Sequence, residues 1–270
     1  MDLESLVKQI NSINYKDCIG RSYKSNAYGD FTIIDYKNCD NVTIKFNKTG
    51  SILVCSAGNL RAGKVKDPLI PSICGVGVVG TLYSTMSRED GNKKCHTLQY
   101  QTWMSMIQRC YSEKFQIKSP SYRGCSVSDN FKYYEYFYEW CNKQIGFGNK
   151  GWHLDKDLLI KGNRVYSEDN CVFLPLELNV LLVSCRSARG VYPIGVTYSK
   201  EKRKFTSSLR TGGKGRKYTQ LGYYKTPEEA FYAYKKAKEE FIKDQAEKWK
   251  YQIDPRAYNA LMNYEVEIDD

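Results

Sequence analysis

The strongest constraint on the fold is a helix start signal late in the chain, preceded by three β-like segments. Thr226-Pro227-Glu228-Glu229 places an N-cap threonine before a proline and a glutamate three residues after the cap, which is a capping box. Segments 193–199, 204–210 and 218–224 are typical of three strands with turns between them, and glycines mark the second turn. These features predict a three-stranded antiparallel sheet followed by one helix.

The predicted helix is amphipathic, so it should cover one face of this sheet. Its apolar side consists of Ala230, Phe231, Tyr234, Ala237, Phe241 and Ile242. Strand side chains alternate between the two faces of a sheet. In the middle strand, Phe205 and Leu209 should therefore point to the helix. The outward side chains are then Lys204, Thr206, Ser208 and Arg210.

Positive charge is concentrated in the same part of the chain. The 270 residues carry 41 Lys and Arg against 30 Asp and Glu, a net charge of +11. Residues 190–250 hold fifteen basic and seven acidic residues, a net charge of +8. This excess favours a polyanionic partner. The alternative explanation of this basic excess is a lysine-rich helix surface that is exposed to solvent and binds no partner.

The first part of the chain predicts a β-rich module over 1–84, with strands at 31–36, 42–46 and 52–55. The G-x-G-x-x-G run from Gly75 to Gly80 is interpreted as a glycine-rich loop, because no amphipathic helix follows it. The polar residues 85–95 are interpreted as a linker.

Helical spacing of apolar residues then predicts helices over 97–111 and 130–141, the second with Asp129 or Asn130 as N-cap. Beyond them, 152–159 and 171–174 read as strands around a polar loop, and Pro175 opens a helix that includes Asn179. The predicted order is therefore strand, loop, strand and helix within about thirty residues. It brings Asp155, Asn170 and Asn179 into one segment.

Other sequence features exclude several classes of protein. The ten cysteines contain no C-x-x-C pair, which argues against a zinc ribbon or knuckle and favours reduced thiols. No signal peptide and no membrane-spanning stretch is recognisable. We therefore expect a cytoplasmic protein with no membrane partner and no small-molecule cofactor.

The central segment, about residues 97–190, resembles phage-type HNH endonucleases of the homing-endonuclease class. The resemblance rests on Trp103-Met104-x-Met106-x-x-Arg109-Cys110-Tyr111, Tyr122-x-Gly124-x-x-Val127, Leu154-Asp155-Lys156, Tyr166-Ser167-x-x-Asn170-Cys171 and Asn179. It implies a ββα-metal site that cleaves DNA with Mg²⁺ or Mn²⁺. By the same resemblance, Asp155 and Asn179 are metal ligands and Asn170 orients the catalytic base.

Lys156 departs from the family pattern, which has histidine as general base at this position. A lysine base near pH 7 needs a pKa lowered by about 3 units. His153 is the second candidate base, and a metal-bound hydroxide is the third. Two alternatives to a nuclease site stay open. Asp155 and Asn179 are then ordinary turn and surface residues, or the HNH fold is intact and the nuclease is inactive.

The basic C-terminal segment, about residues 190–243, resembles the plant ethylene-response-factor (Apetala-type) DNA-binding domain. The resemblance rests on Gly195-Val196, Lys204-Phe205, Leu209-Arg210 and Leu221-Gly222-Tyr223-Tyr224-x-Thr226-x-Glu228-Glu229-Ala230. It implies that the sheet enters the major groove of double-stranded DNA. The implied contact positions are Thr197, Ser199, Lys204, Ser208, Arg210, Tyr218 and Gln220. Phosphate contacts are expected from Lys200, Lys202, Arg203, Lys214, Arg216 and Lys217.

The sequence therefore predicts an α+β protein with four parts: a β-rich module (1–84), an HNH-like domain (97–189), a DNA-binding domain (190–250) and an acidic tail (251–270). The N-terminal module is either a second DNA-holding surface or a folding or dimerisation module, and the oligomeric state is left open. The expected function is site-selective DNA binding with metal-dependent strand cleavage. The alternative is a non-catalytic repressor or architectural factor built on a degenerate HNH fold.

Overall fold

The computed structural model describes residues 15–89, 93–182, 190–211 and 217–270. It combines helices with several small, separate sheets, which confirms the predicted α+β class. The chain divides into two compact units, Met1–Glu139 and Trp140–Asp270. This division falls inside the predicted HNH-like domain.

The first unit begins with a four-stranded antiparallel meander. Its strands are β1 (Ser22–Ser25), β2 (Gly29–Asn38), β3 (Asn41–Phe46) and β4 (Ile52–Cys55), in that spatial order. The predicted strands at 31–36, 42–46 and 52–55 are confirmed, whereas β1 was not predicted. A short helix, α1 (Ala57–Arg61), follows. The core of this module consists of Phe31, Ile33, Val42, Ile44, Phe46, Ala57 and Val65.

Two predictions for the next segment have different outcomes. Gly75–Gly80 lies outside any helix and strand, with positive φ at both terminal glycines, so the loop prediction is confirmed. The linker prediction for 85–95 is wrong, because β5 (Met86–Glu89) and β6 (Lys93–His96) pair as an antiparallel hairpin.

The predicted helix 97–111 is confirmed as α2 (Leu98–Tyr111), whose N-cap Thr97 accepts a hydrogen bond from the Tyr100 amide. It is followed by α3 (Glu113–Lys118) and the short strand β7 (Ser126–Val127).

The predicted helix 130–141 is interrupted. Residues Asn130–Lys132 form a 3₁₀ turn, Tyr133 is extended, and α4 covers Tyr134–Asn142. Asp129 makes no side-chain capping bond. The expected N-cap is therefore wrong for the α-helix, because the extended residue separates it from the helix start.

The second unit contains the predicted strand, loop, strand and helix. Strand β8 (Trp152–Asp155) pairs antiparallel with β10 (Val172–Pro175), and α5 (Leu176–Leu182) follows directly. The short strand β9 (Val165–Tyr166) lies in the connection. The first strand ends at Asp155 rather than at residue 159, because the chain turns at the Asp155 side chain.

The C-terminal sheet and its helix follow the prediction closely. The order is β11 (Val196–Ser199), β12 (Lys204–Thr211) and β13 (Lys217–Tyr224), all antiparallel, and α6 (Pro227–Trp249) follows. The capping box at Thr226 and Glu229 is present. Strand β11 begins three residues later than predicted, after Gly195. This glycine has φ +75°, and a Cβ there would lie 2.1 Å from the Tyr234 ring.

Residues 251–270, which the sequence analysis treated only as an acidic tail, contain α7 (Pro255–Met262) and several buried residues. One hydrophobic cluster joins this segment to the strand–helix segment and to the end of α6. Its buried members are Leu158, Val172, Leu174, Leu178, Ile242, Ala246, Ile253, Ala257 and Leu261. The strand–helix segment 152–182 and the predicted parts 190–250 and 251–270 thus share one core, because the apolar side of α6 continues beyond the sheet.

A second cluster lies between the three-stranded sheet and α6. It contains Val196, Leu209, Ala230, Phe231, Tyr234 and Val266, with Phe205, Ala237 and Phe241 packed at its margin. The predicted helix-facing residues are therefore confirmed. Among the described residues, no helix is long and apolar enough to span a membrane.

Candidate functional site

Asp155 ends β8 and is buried, with 8% of its surface exposed. Its Oδ1 accepts hydrogen bonds from the amides of Asp157, at 3.0 Å, and Leu158, at 2.8 Å. Burial, followed by repulsion from the Asp157 carboxylate, raises the pKa of Asp155 from 3.8 to about 6. The carboxylate therefore has a turn-forming role and carries a charge that its surroundings compensate poorly.

Lys156 is held by two acceptors, neither of which is Asp155. Its Nζ donates to Asp157 Oδ2 and to the Asn163 carbonyl oxygen, both at 3.0 Å. It also lies 5.8 Å from the centre of the Tyr166 ring, and only 11% of the side chain is exposed. The amine is therefore a hydrogen-bond donor that ties the start of the β8–β9 connection to its end.

Asn163 organises the same connection from the other side. Its Nδ2 donates to the carbonyl oxygens of Lys156, at 2.6 Å, and Val165, at 2.7 Å, and its Oδ1 accepts from the Val165 amide. Sequence analysis placed Asn163 only in a polar loop. The signal for its role was available, because an asparagine after a glycine in a turn commonly bonds backbone two residues ahead.

The remaining predicted catalytic residues lie around the same hairpin. His153 is exposed and precedes Asp155 by two residues in β8, so the two side chains leave the strand on the same side. Asn170 is half-buried, and its backbone amide donates to Ser167 Oγ. In the described part of the chain, the Asn170 side chain makes no hydrogen bond to His153 or Lys156.

Asn179 lies in α5, immediately after the fully buried Leu178, and is half-buried. Helix α5 packs against both β8 and β10. The structure therefore brings the element that carries Asn179 against the strand that carries Asp155. No hydrogen bond joins these two side chains within the described ranges.

The described residues contain no group of three or more His, Cys, Asp or Glu side chains with metal-binding geometry. A metal held here would take one carboxylate, from Asp155, one amide oxygen, from Asn179, and water. Oxygen ligands and retained waters suit Mg²⁺ and Mn²⁺. The donor set is compatible with the expected metal, and it is too small to hold a dehydrated ion.

The outer face of the three-stranded sheet is the second candidate site. In the register of the sheet, Thr197 lies opposite Thr206, Ser199 opposite Lys204, and Arg210 opposite Tyr218. The exposed members of the predicted contact set are Thr197, Lys200, Lys202, Arg203, Lys204, Arg210, Tyr218 and Gln220, whereas Ser199 is half-buried. Lys214 and Arg216 lie outside the described residues. Lys217 begins β13, and only its backbone is described.

Ser208 differs from the other predicted contacts because it is buried, with 8% of its surface exposed. Its hydroxyl is hydrogen-bonded to the hydroxyl of Tyr218 on β13, which lies diagonally across from Ser208, because Ser208 pairs with Gln220 in the register. Tyr218 is 60% exposed. A ligand on this face would therefore reach Tyr218 before Ser208.

The charge excess belongs to residues 190–225, which hold the strands and the segments between them, and not to the helix. Residues 190–225 contain nine lysines and arginines and one glutamate, whereas 226–250 contain six basic and six acidic residues. The three strands contain no Asp or Glu. Glu201 pairs with Lys202 in the exposed β11–β12 turn. Within the described ranges, Arg203, Lys204 and Arg210 form no ion pair.

The chain was compared with protein-family models, curated proteins and solved structures. No protein-family model, no curated protein and no solved structure matches the chain. Function is therefore inferred from the residues and geometry described above.

Proposed function

We propose that the protein binds duplex DNA through the outer face of β11–β13 and cleaves a phosphodiester bond at the β8–β10–α5 segment with Mg²⁺ or Mn²⁺. The observation that carries DNA binding is the charge of residues 190–225, where nine basic residues accompany one acidic residue, with Lys204 and Arg210 exposed in β12. Exposed cations without carboxylate partners are free to contact phosphates, and such contacts dominate affinity for DNA.

The proposed metal site uses Asp155 and Asn179. Asp155 is buried beside a second carboxylate, and the nearby Lys156 amine is bonded elsewhere. A divalent cation would compensate this charge. When bound, the metal would stabilise the negative charge that develops on the phosphate during cleavage.

His153 is the better-placed candidate for the general base. It is exposed on the same side of β8 as Asp155, and imidazole is well suited to accept a proton from water near pH 7. Lys156 is instead assigned a positioning role, because both of its hydrogen bonds hold the β8–β9 connection. No hydrogen bond in the described chain supports the orienting role expected for Asn170.

A specific observation also favours the non-catalytic alternative. Lys156 occupies the position where the resembled family has its catalytic histidine, and its amine already donates to two acceptors. A DNA-binding protein on a degenerate nuclease fold would retain this loop and lose the chemistry. Repression or DNA architecture would then depend on the sheet alone.

The DNA-binding proposal is tested by removing two sheet cations in the full chain. Deletion of the module is unsuitable, because α6 contributes Ile242 and Ala246 to the shared core. The slope of log K against log salt is about −0.9 per phosphate contact. The variant Lys204→Gln/Arg210→Gln should therefore bind duplex DNA more weakly, with a slope less steep by about 2.

The matched control is Lys243→Gln, which removes an exposed lysine from α6. It should leave both the affinity and the salt slope close to those of the wild type. Both variants are measured by fluorescence anisotropy on one duplex over a range of salt concentrations. Equal slopes for all three proteins would overturn the assignment of the binding surface.

A further inference from the structure

A groove of about 770 Å³ lies beside the edge of the three-stranded sheet. Strand β11 pairs only with Lys204–Ser207, so Ser208–Thr211 of β12 extend past it. The chain before β11, from Gly190 to Gly195, forms another wall of the groove. The volume is in the range of sites for small organic ligands, about 300–1,000 Å³, and leaves room for a base with its sugar and phosphate.

The groove lining combines positive charge with aromatic rings. Lys200 and Arg210 contribute the cations, and Tyr192, Tyr198 and Tyr218 contribute the rings. The described lining contains no carboxylate, and neither cation forms an ion pair within the described ranges. Proteins that bind single-stranded nucleic acids combine cations, which contact the phosphates, with aromatic rings, on which the bases stack.

The ring of Tyr218 is held in place before any ligand arrives. Its hydroxyl is hydrogen-bonded to the buried Ser208, and its backbone lies opposite Arg210 in the sheet register. The side chain is nevertheless 60% exposed. A fixed ring with accessible surface can stack on a base at little cost in side-chain entropy.

We propose that this groove binds an unpaired nucleotide of a DNA strand, with the base on Tyr218 and the flanking phosphates on Arg210 and Lys200. The inference rests on the proposed DNA binding and adds a preference for bases outside the double helix. Paired bases expose only their edges, because their faces are stacked on neighbours. An exposed ring gains stacking only where a base has left the stack.

The test compares three probes with the full chain by fluorescence anisotropy: a paired duplex, the same duplex with a short mismatched bubble, and an oligothymidine single strand. The wild type should bind the bubble more tightly than the paired duplex. Tyr218→Ala should weaken binding to the bubble by roughly 5- to 150-fold, the usual effect of removing one stacking ring, and change binding to the paired duplex little.

Two further variants separate stacking from structure. Tyr218→Phe keeps the ring, loses the bond to Ser208, and should stay close to wild type on the bubble. Tyr232→Ala removes a tyrosine of similar exposure, 65%, from α6 and should bind all probes as the wild type does. Thermal unfolding of each variant checks that the fold is retained. If Tyr218→Ala is unfolded, the inference depends on the wild type's preference for the bubble, and a folded Tyr218→Phe that loses this preference overturns it.

The outcomes distinguish this inference from the proposed function. Tight binding of the paired duplex with no preference for the bubble overturns the inference and leaves DNA binding standing. Equal weakening of both duplexes by Tyr218→Ala also overturns it, since Tyr218 would then be an ordinary duplex contact. Failure to bind any probe overturns the proposed function itself.

Discussion

Replacing Leu261 by alanine should destabilise the whole second unit. Leu261 is fully buried in the cluster that joins α7 to Leu178 of α5 and Ile242 of α6. Because this cluster includes residues of three helices, α5, α6 and α7, the site cannot easily collapse around a smaller side chain. A buried leucine-to-alanine change costs about 2–5 kcal/mol, and poor collapse places the cost near the middle of that range or above. For a unit of about 130 residues, about 3 kcal/mol corresponds to a melting temperature lower by roughly 10 °C.

The measurement is urea and thermal unfolding followed by tryptophan fluorescence. Trp152 and Trp249 pack against this cluster and against each other, with ring centres 5.9 Å apart, so they report its loss directly. The control Asn259→Ala changes an exposed residue of the same helix and should shift stability by at most about 0.5 kcal/mol. If Leu261→Ala unfolded like the wild type, residues 251–270 would be a solvated tail and the shared core would be wrong.

Two further predictions concern the candidate nuclease segment. The pKa of Asp155 is raised to about 6, so between about pH 4 and pH 6 the folded chain retains a proton that the unfolded chain releases. This stability contribution is present below pH 4 and lost as the pH rises through 6. With a metal chelator present, Asp155→Asn, which keeps the accepting oxygen, should flatten that loss in urea titrations. The exposed Asp244→Asn should not, and identical pH profiles for Asp155→Asn and wild type would contradict the pKa assignment. His153→Ala should slow single-turnover nicking by about 10²- to 10⁴-fold, whereas Lys156→Met should mainly lower the melting temperature, because it leaves the Asn163 carbonyl unpaired. Normal nicking by His153→Ala, with nicking abolished in a stable Lys156→Met, would reverse the two roles.

The elements that were predictable are those whose signals are local. The capping box at Thr226 depends on neighbouring residues and is confirmed. Alternation along β12 correctly placed Phe205 and Leu209 against the helix, whereas it did not predict that Ser208 is buried. The strands Met86–Glu89 and Lys93–His96 were missed because their sequences are mostly polar. The start of α7 had a local helix-start signal in Asp254-Pro255. In the structure, Asp254 caps the helix, and its Oδ1 accepts a hydrogen bond from the Arg256 amide. The helix was missed because residues 251–270 were interpreted only as an acidic tail.

The candidate site was harder to predict, because its geometry depends on contacts across the turn. Sequence analysis brought Asp155 and Asn179 into one segment, and the packing of α5 on β8 supports that placement. It could not show that the Lys156 amine bonds to Asp157 and Asn163. The burial of Ser208 under Tyr218 likewise depends on a side-chain pair that alternation alone does not reveal.

Nicking of supercoiled plasmid tests the central claim most directly. A pool of plasmids with random inserts is incubated with wild type or Asp155→Asn, with Mg²⁺ or with a chelator, and DNA binding is measured alongside. The account predicts open-circular DNA only with wild type and Mg²⁺, and equal DNA binding by both proteins. Undiminished binding with no nicking by the wild type, or equal nicking by Asp155→Asn, would contradict it.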